Sequence, residues 1–357
     1  MERLISSDSH VNLQHDTVKR KLVTKHHDAY DAYDAAVAEF QSRVFGGNAG
    51  QANTAMMRAY THPAAGRAGH SDPHERLKDM DADGVDAEVL YCEVSAFRFL
   101  YLIKDGWRES TRAFNDALSD FGAVDPKRLV VSHQIPIHDI DFAVEEVSRV
   151  AALGAKSLQL PVFPNELGFP EYFDSRYDPL WSTIQDLDLP ICCHIGLNTQ
   201  LEDLARRDPT PQRGVMVPMT AFCTAEAFGM WMLSGVLERF SKLKLVFVEP
   251  GLGWVAWYLY IIDDMNTRQS YEFPAISELP SFYFRRNIHL TYIDEPDSIQ
   301  LLRHKIGVRN IMWSSDYPHP VSSWPNSRAL VENQFVGIPD DERELIVSGN
   351  AARVWNL

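Results

Sequence analysis

Ile311-Met312-Trp313-Ser314-Ser315-Asp316-Tyr317-Pro318-His319 opens with a short apolar run that reads as a buried strand. The run stops on a carboxylate, followed by a proline that cannot extend a sheet. An ionised Asp at the tip of a buried strand is costly unless it is paired or bound to a cation, so partners are expected elsewhere in the chain. Two stretches supply them. Leu4-Ile5-Ser6-Ser7-Asp8-Ser9-His10 passes from apolar residues to a carboxylate with a His two positions on, and Leu189-Pro190-Ile191-Cys192-Cys193-His194 ends on an imidazole. Two carboxylates and two imidazoles at the downstream ends of three strands form a cage suited to a borderline divalent ion.

Outward from these stretches the chain alternates. After the first strand, residues 11–73 form a long insertion with a helix at about 28–45, a Gly46-Gly47 stop and an irregular Ala-, Gly- and His-rich tail. An insertion of this length in a compact fold serves as a lid, a substrate loop or a subunit contact. Strands are then expected at 86–92, 128–133, 155–161, 189–194, 243–249, 286–292 and 310–315. The helices read at 75–83, 107–124, 139–153, 179–187, 221–240, 254–262, 297–304 and 340–354, with a Pro-rich loop at 197–218. Eight strands each followed by a helix, with no low-complexity linker, imply one domain over residues 1–357 and a parallel sheet closed into a (β/α)8 TIM barrel. An open doubly wound sheet is the runner-up. Closure is favoured because the polar tips come from strands one, five, six and eight, and only a barrel brings the first and last strands together.

Composition sets outer bounds. With a net charge of -15, a nucleic-acid or anionic-membrane partner is disfavoured. No apolar stretch approaches the roughly 18 residues of a membrane helix, and the first residues carry no signal-type apolar core, so a cytoplasmic protein is expected. Cys92, Cys192, Cys193 and Cys223 show no Cys-x-x-Cys spacing and read as reduced core residues.

Several pieces together carry a family resemblance: Asp8-Ser9-His10; Asp81-Ala82-Asp83-Gly84-Val85-Asp86; Tyr177-Asp178-Pro179-Leu180-Trp181 before Pro190-Ile191-Cys192-Cys193-His194; Ser315-Asp316-Tyr317-Pro318; and Gly349-Asn350-Ala351-Ala352-Arg353. On these, the chain resembles the amidohydrolase superfamily. It resembles more closely the amidohydrolase-related branch that includes aminocarboxymuconate-semialdehyde decarboxylase and the aromatic-acid decarboxylases. The resemblance implies a metal-dependent barrel enzyme with Asp8, His10, His194 and Asp316 as ligands of one divalent ion, zinc ahead of manganese. It also implies a homo-oligomer, a dimer first. Two departures stand out. Many relatives carry His-x-His on the first strand where this chain has Asp8, and decarboxylating relatives commonly carry a His after strand six where this chain has Glu249-Pro250-Gly251. A carboxylate replaces an imidazole as proton donor only when burial raises its pKa. Binuclear relatives use a carboxylated Lys at the tip of strand four; Lys156 opens that strand, about 17 Å from the tip at strand rise, so one metal is expected.

The leading expectation is hydrolysis by a metal-activated water at an amide, ester or vinylogous carbon–carbon bond of a small aromatic or unsaturated acid. Asp316 would move the proton, the metal with His194 or His319 would polarise the carbonyl, and Glu249 would orient the nucleophile or anchor a substrate hydroxyl. The alternative is non-oxidative decarboxylation of an aromatic acid, with Asp316 or Glu249 protonating the ring, and a third reading is a barrel that binds without turnover. His319, Gln159 and Trp324 are candidates for contacting substrate, with His133 a weaker one; His26 and His27 are expected on a solvated helix, and Trp254 and Trp257 in the core.

Overall fold

In a computed structural model, residues 2–45, 63–64, 66–92, 100–195 and 212–357 are described. The strands are β1 (Ile5–Val11), β2 (Ala87–Cys92), β3 (Leu129–Gln134), β4 (Ser157–Gln159), β5 (Pro190–His194), β6 (Lys244–Val248), β7 (Ile288–Tyr292) and β8 (Ile311–Trp313). They pair in sequence order, each parallel to the next. The ends of the sheet meet: Asp316 N–H donates to the Asp8 carbonyl at 2.9 Å and His10 N–H to the Tyr317 carbonyl at 2.7 Å. Consecutive order and this closure exclude the open doubly wound sheet and give the (β/α)8 barrel.

Alternation along each strand sorts the core into two layers. Ile5, Val89, Tyr91, Val130, Cys192, Val246, Val248 and Met312 fill the barrel interior, and Ala351, Val354 and Trp355 of the last helix plug its N-terminal end. Their neighbours Leu90, Val131, Cys193, Leu245 and Phe247 face the surrounding helices. Helix boundaries follow local chemistry. Helix Pro73–Asp83 starts with Asp72 accepting from the N–H groups of His74 and Glu75 and with Pro at its first turn, and it ends at Gly84 in the left-handed conformation, φ 74°.

Some expectations require correction. Of the stretch 197–218 read as a loop, residues 212–218 belong to helix Gln212–Leu233, which carries Pro218 inside it. The single helix expected at 221–240 is broken before Val236–Arg239, where Gly235 takes φ 78°. The closing helix at 340–354 is interrupted by a wider turn at Leu345–Gly349. That turn delivers Asn350, whose amide donates to the carbonyls of Val308 at 2.7 Å and Ile311 at 2.8 Å beneath β8. His26 is buried rather than solvated: the turn Thr24–His26 folds its ring against Gly106, whose lack of a Cβ makes room for it. Trp257 is exposed rather than in the core, whereas Trp254 packs on Phe228 and Tyr258. Cys223 is half-buried. The expected Gly46-Gly47 stop and most of the 50–74 tail lie outside the described residues. Among the described residues no helix is long and apolar enough to cross a membrane.

Candidate metal centre

All seven residues of β1 are buried. Its pairing with β2 slips between Ser6 and Ser9, so β1 carries one extra residue there, a bulge that contains Asp8. Three hydroxyls stabilise the kink: Ser6 Oγ donates to the Asp8 carbonyl at 2.7 Å, and the Oγ atoms of Ser6, Ser9 and Ser315 lie 3.0–3.1 Å from one another. Asp316 and Glu249 sit just beyond β8 and β6 with φ of 51° and 61°, a left-handed conformation that side-chain-bearing residues avoid at a cost of about 1–3 kcal/mol each. Asp316 is held there by the Asp8 carbonyl, and Glu249 by an N–H bond to Thr291 Oγ1 at 2.8 Å.

These backbone devices gather the polar tips. Ligand-type atoms of Asp8, His10 and His194 lie within 4.8 Å of one another, as do those of His10, Asp316 and His319 and those of Asp8, Glu249 and Asp316. His10 Nε2 is 3.7 Å from Asp8 Oδ1 and 3.1 Å from Asp316 Oδ1, and His194 Nε2 is 3.5 Å from Asp8 Oδ1. Among the described residues, both carboxylate oxygens of Asp8, both ring nitrogens of His10, His194 Nε2 and Asp316 Oδ2 are buried without a hydrogen bond. An unsatisfied buried polar atom costs about 1–3 kcal/mol, so one such atom from each of these four residues fits a divalent cation. His194 Nδ1 donates to the Ile195 carbonyl at 2.9 Å, which fixes the ring with Nε2 facing Asp8.

The local electrostatics follow from burial and charge. Burial lowers the His10 pKa, and His319 and His194 add to that effect. For His194 burial is the largest influence and would lower it, but Asp8 outweighs it and lifts the imidazole to about 9. Glu249 is pushed up to about 8, by burial first and then by the charge on Asp316. Burial also works against ionised Asp316, yet His319 and His10 together hold that carboxyl well below its usual range. His319 Nδ1 is 2.9 Å from Asp316 Oδ1.

The other expected residues are more dispersed. Gln159, at the end of β4, accepts from Gln134 Nε2 at 2.7 Å, while its own buried Nε2 has no hydrogen bond among the described residues. Trp324 lies in a small cluster with Ala64 and Tyr317 and donates its indole N–H to the Asp79 carbonyl at 3.0 Å. His133 faces the helix layer and pairs with Ser119 at 2.9 Å. Lys156 precedes β4 and donates to the Asn356 carbonyl near the chain end, away from the strand tips. Arg76 and Glu88, a fully buried pair behind β1, escaped the sequence reading. A charge inside Ala87-Glu88-Val89-Leu90-Tyr91 was the available signal, since such a residue demands a buried partner.

The family profile described as Amidohydrolase matches residues 8–357. The chain belongs to the amidohydrolase family. Similar curated proteins include a gamma-resorcylate decarboxylase of Rhizobium sp. (strain MTP-10005), 28% identical over 279 residues that span 74% of this chain and 83% of that protein. Another is decarboxylase orsB of Emericella nidulans, 26% identical over 221 residues, 59% of this chain and 65% of that one. Among solved structures, 5-carboxyvanillate decarboxylase from Sphingomonas paucimobilis has a TM-score of 0.74 at 23% identity over 100% of both chains. A dihydroxybenzoic acid decarboxylase from Polaromonas sp. JS666, with bound manganese and the inhibitor 2-nitroresorcinol, has a TM-score of 0.67 at 21% identity, covering 100% of this chain and 98% of that one. At these identities the structures show a shared fold. The curated relatives overturn the expectation of hydrolysis: they are decarboxylases, and a metal-activated water attacking an amide, ester or vinylogous bond is withdrawn as the reading of this site. The choice of zinc over manganese gains no support, since the neighbour just named holds manganese.

Proposed function

We propose that this amidohydrolase-family chain is a metal-dependent, non-oxidative decarboxylase of a hydroxylated aromatic acid. The observation that carries the reading is the set of buried ligand atoms without a hydrogen bond among the described residues, on Asp8, His10, His194 and Asp316, beside a carboxyl pair that retains a proton at neutral pH. The names of the similar curated proteins supply the reaction class. Asp8, His10, His194 and Asp316 would hold the ion, manganese or zinc. When bound, it supplies a fixed positive charge that draws a carboxylate and an adjacent ring oxygen to the barrel mouth.

The chain's own groups handle the proton. Of the two acids that face one another, His319 and His10 favour ionised Asp316 while burial favours protonated Glu249, so Glu249 is the donor and the pair titrates as a unit. The departure from a His after strand six is thereby accommodated, because burial has raised this carboxyl as the exchange requires. Glu249 gives its proton to the ring carbon that bears the carboxylate, and ring π electrons form the new carbon–hydrogen bond. The bond to the carboxylate then breaks, its electron pair restores the aromatic ring, and carbon dioxide leaves. A solvent proton returns to the pair. His319 orients Asp316, and Gln159 offers its unbonded Nε2 to a polar substituent of the acid. Trp324 packs on Tyr317 next to Asp316 and supports the rim from behind.

The test is turnover in deuterated water with manganese and a panel of 2-hydroxy- and 2,6-dihydroxybenzoates and 5-carboxyvanillate. The expected result is carbon dioxide release with one deuterium at the vacated ring carbon, lost in Glu249→Gln. Solvent oxygen in the product, or no turnover across the panel by protein that has bound its metal, would overturn the reading.

A further inference from the structure

We infer that Arg76 is a positioning residue for the metal centre, acting through the backbone of His10; this rests on the metal-dependent reading above. The Arg76 guanidinium is fully buried on helix Pro73–Asp83. Its Nε donates to Glu88 Oε2 on β2 at 2.5 Å, and its Nη1 donates to the His10 carbonyl at 2.8 Å and to the Gly69 carbonyl at 3.3 Å. Its carbon lies 4.2 Å from the centre of the Tyr317 ring. The His10 residue is therefore gripped at both ends of its backbone, by Arg76 at the carbonyl and by Tyr317 at the N–H. Tyr317 is fixed in turn, since its hydroxyl donates to Asp79 Oδ2 and Arg67 donates to Asp79 Oδ1. A continuous set of directional contacts thus runs from helix Pro73–Asp83 to the two chain segments, β1 and the turn after β8, that carry His10 and Asp316.

Stability alone is a poor account of this arrangement. Replacing a buried ion pair by well-packed apolar residues of similar volume is often neutral or stabilising, because two charges no longer have to be desolvated. What apolar residues cannot do is donate to the His10 carbonyl and stack on Tyr317 at once. A lysine cannot do it either, since only a planar fork serves Glu88, His10 and the ring together. The His10 ring is placed among groups of the centre itself, with Nε2 3.1 Å from Asp316 Oδ1 and its centroid 3.9 Å from that of His319. The position from which that ring reaches them is set by its backbone, and the backbone is what Arg76 holds.

The experiment compares manganese binding and thermal unfolding of the full chain in wild type, Arg76→Lys, and the paired apolar variant Arg76→Met with Glu88→Leu. Unfolding is measured after chelation, so that fold stability is read without the ion. The paired variant is expected to unfold within a few degrees of wild type while binding manganese about 10- to 100-fold more weakly, the range seen when groups that orient metal ligands are removed. Arg76→Lys, which keeps the charge, is expected to weaken binding at least several-fold. Unchanged manganese affinity in the paired variant would overturn the inference, as would a loss of affinity in the variants that only tracks a loss of fold. Failure of wild type to bind any divalent ion would instead overturn the metal-dependent reading beneath it.

Discussion

Glu249 gives the sharpest quantitative handle on the site. In the metal-free chain its pKa is raised from 4.5 to about 8, by burial and by Asp316. The folded pKa lies above the unfolded one, so as pH rises past 4.5 the unfolded chain releases this proton first. Stability linked to Glu249 is complete below about pH 4.5 and is lost as pH climbs toward 8. At about 1.4 kcal/mol per pKa unit, the shift corresponds to a ceiling of about 5 kcal/mol, and screening of a half-buried side chain brings the expectation to about 2–4 kcal/mol. Glu249→Gln keeps the shape and the left-handed backbone but cannot ionise. Asp316, whose pKa is depressed, stays ionised throughout this window and contributes a constant. His194 is raised to about 9, in part by Glu249 itself, and loses its stabilisation above pH 6.5, so the difference between the proteins reports Glu249 together with its coupling to His194. Urea unfolding of the chelated proteins at pH 5, 6, 7 and 8 should show the variant pulling ahead of wild type as pH rises, by about 2–4 kcal/mol at pH 8. Parallel stability curves for the two proteins would refute the reasoning.

Other outcomes follow from the same geometry. Manganese at about 100 times its dissociation constant should stabilise the chain by about 2.7 kcal/mol. With an unfolding entropy of about 2.1 cal/mol/K per residue, this raises the melting temperature by about 3–4 °C in calorimetry. Ser6→Ala strands the buried Ser315 N–H, which donates to Ser6 Oγ at 2.9 Å, and should cost about 1–3 kcal/mol in denaturant titration. Asn350→Leu removes both bonds beneath β8 and should destabilise by about 2 kcal/mol or more while leaving manganese affinity unchanged, because it acts at the opposite end of the barrel from the strand tips.

The fold was legible because its signals are local and repeated. Cys192 and Cys193 fall on opposite faces of β5 as strand alternation requires, and apolar runs ending on Asp8, His194 and Asp316 locate strand tips without knowledge of pairing. The gathering of those tips followed from barrel closure. Less was legible where the decisive interaction joins distant segments. Arg76 looks like an ordinary helix charge until Glu88 and the His10 carbonyl are placed beside it, and His26 looks solvated until Gly106 is folded against it. The choice between hydrolysis and decarboxylation was not legible, because the same four ligand types serve both. The wide turn at Leu345–Gly349 escaped a reading tuned to the regular helical period.

The central claim is that Asp8, His10, His194 and Asp316 share one cation. Elemental analysis of the chain after equilibration with equal manganese and zinc tests it most directly, with wild type set against the combined His10→Ala and His194→Ala variant. The account predicts one divalent ion per wild-type chain and none in the folded variant. A wild-type chain free of bound ion, or a variant that keeps a full equivalent, would contradict it.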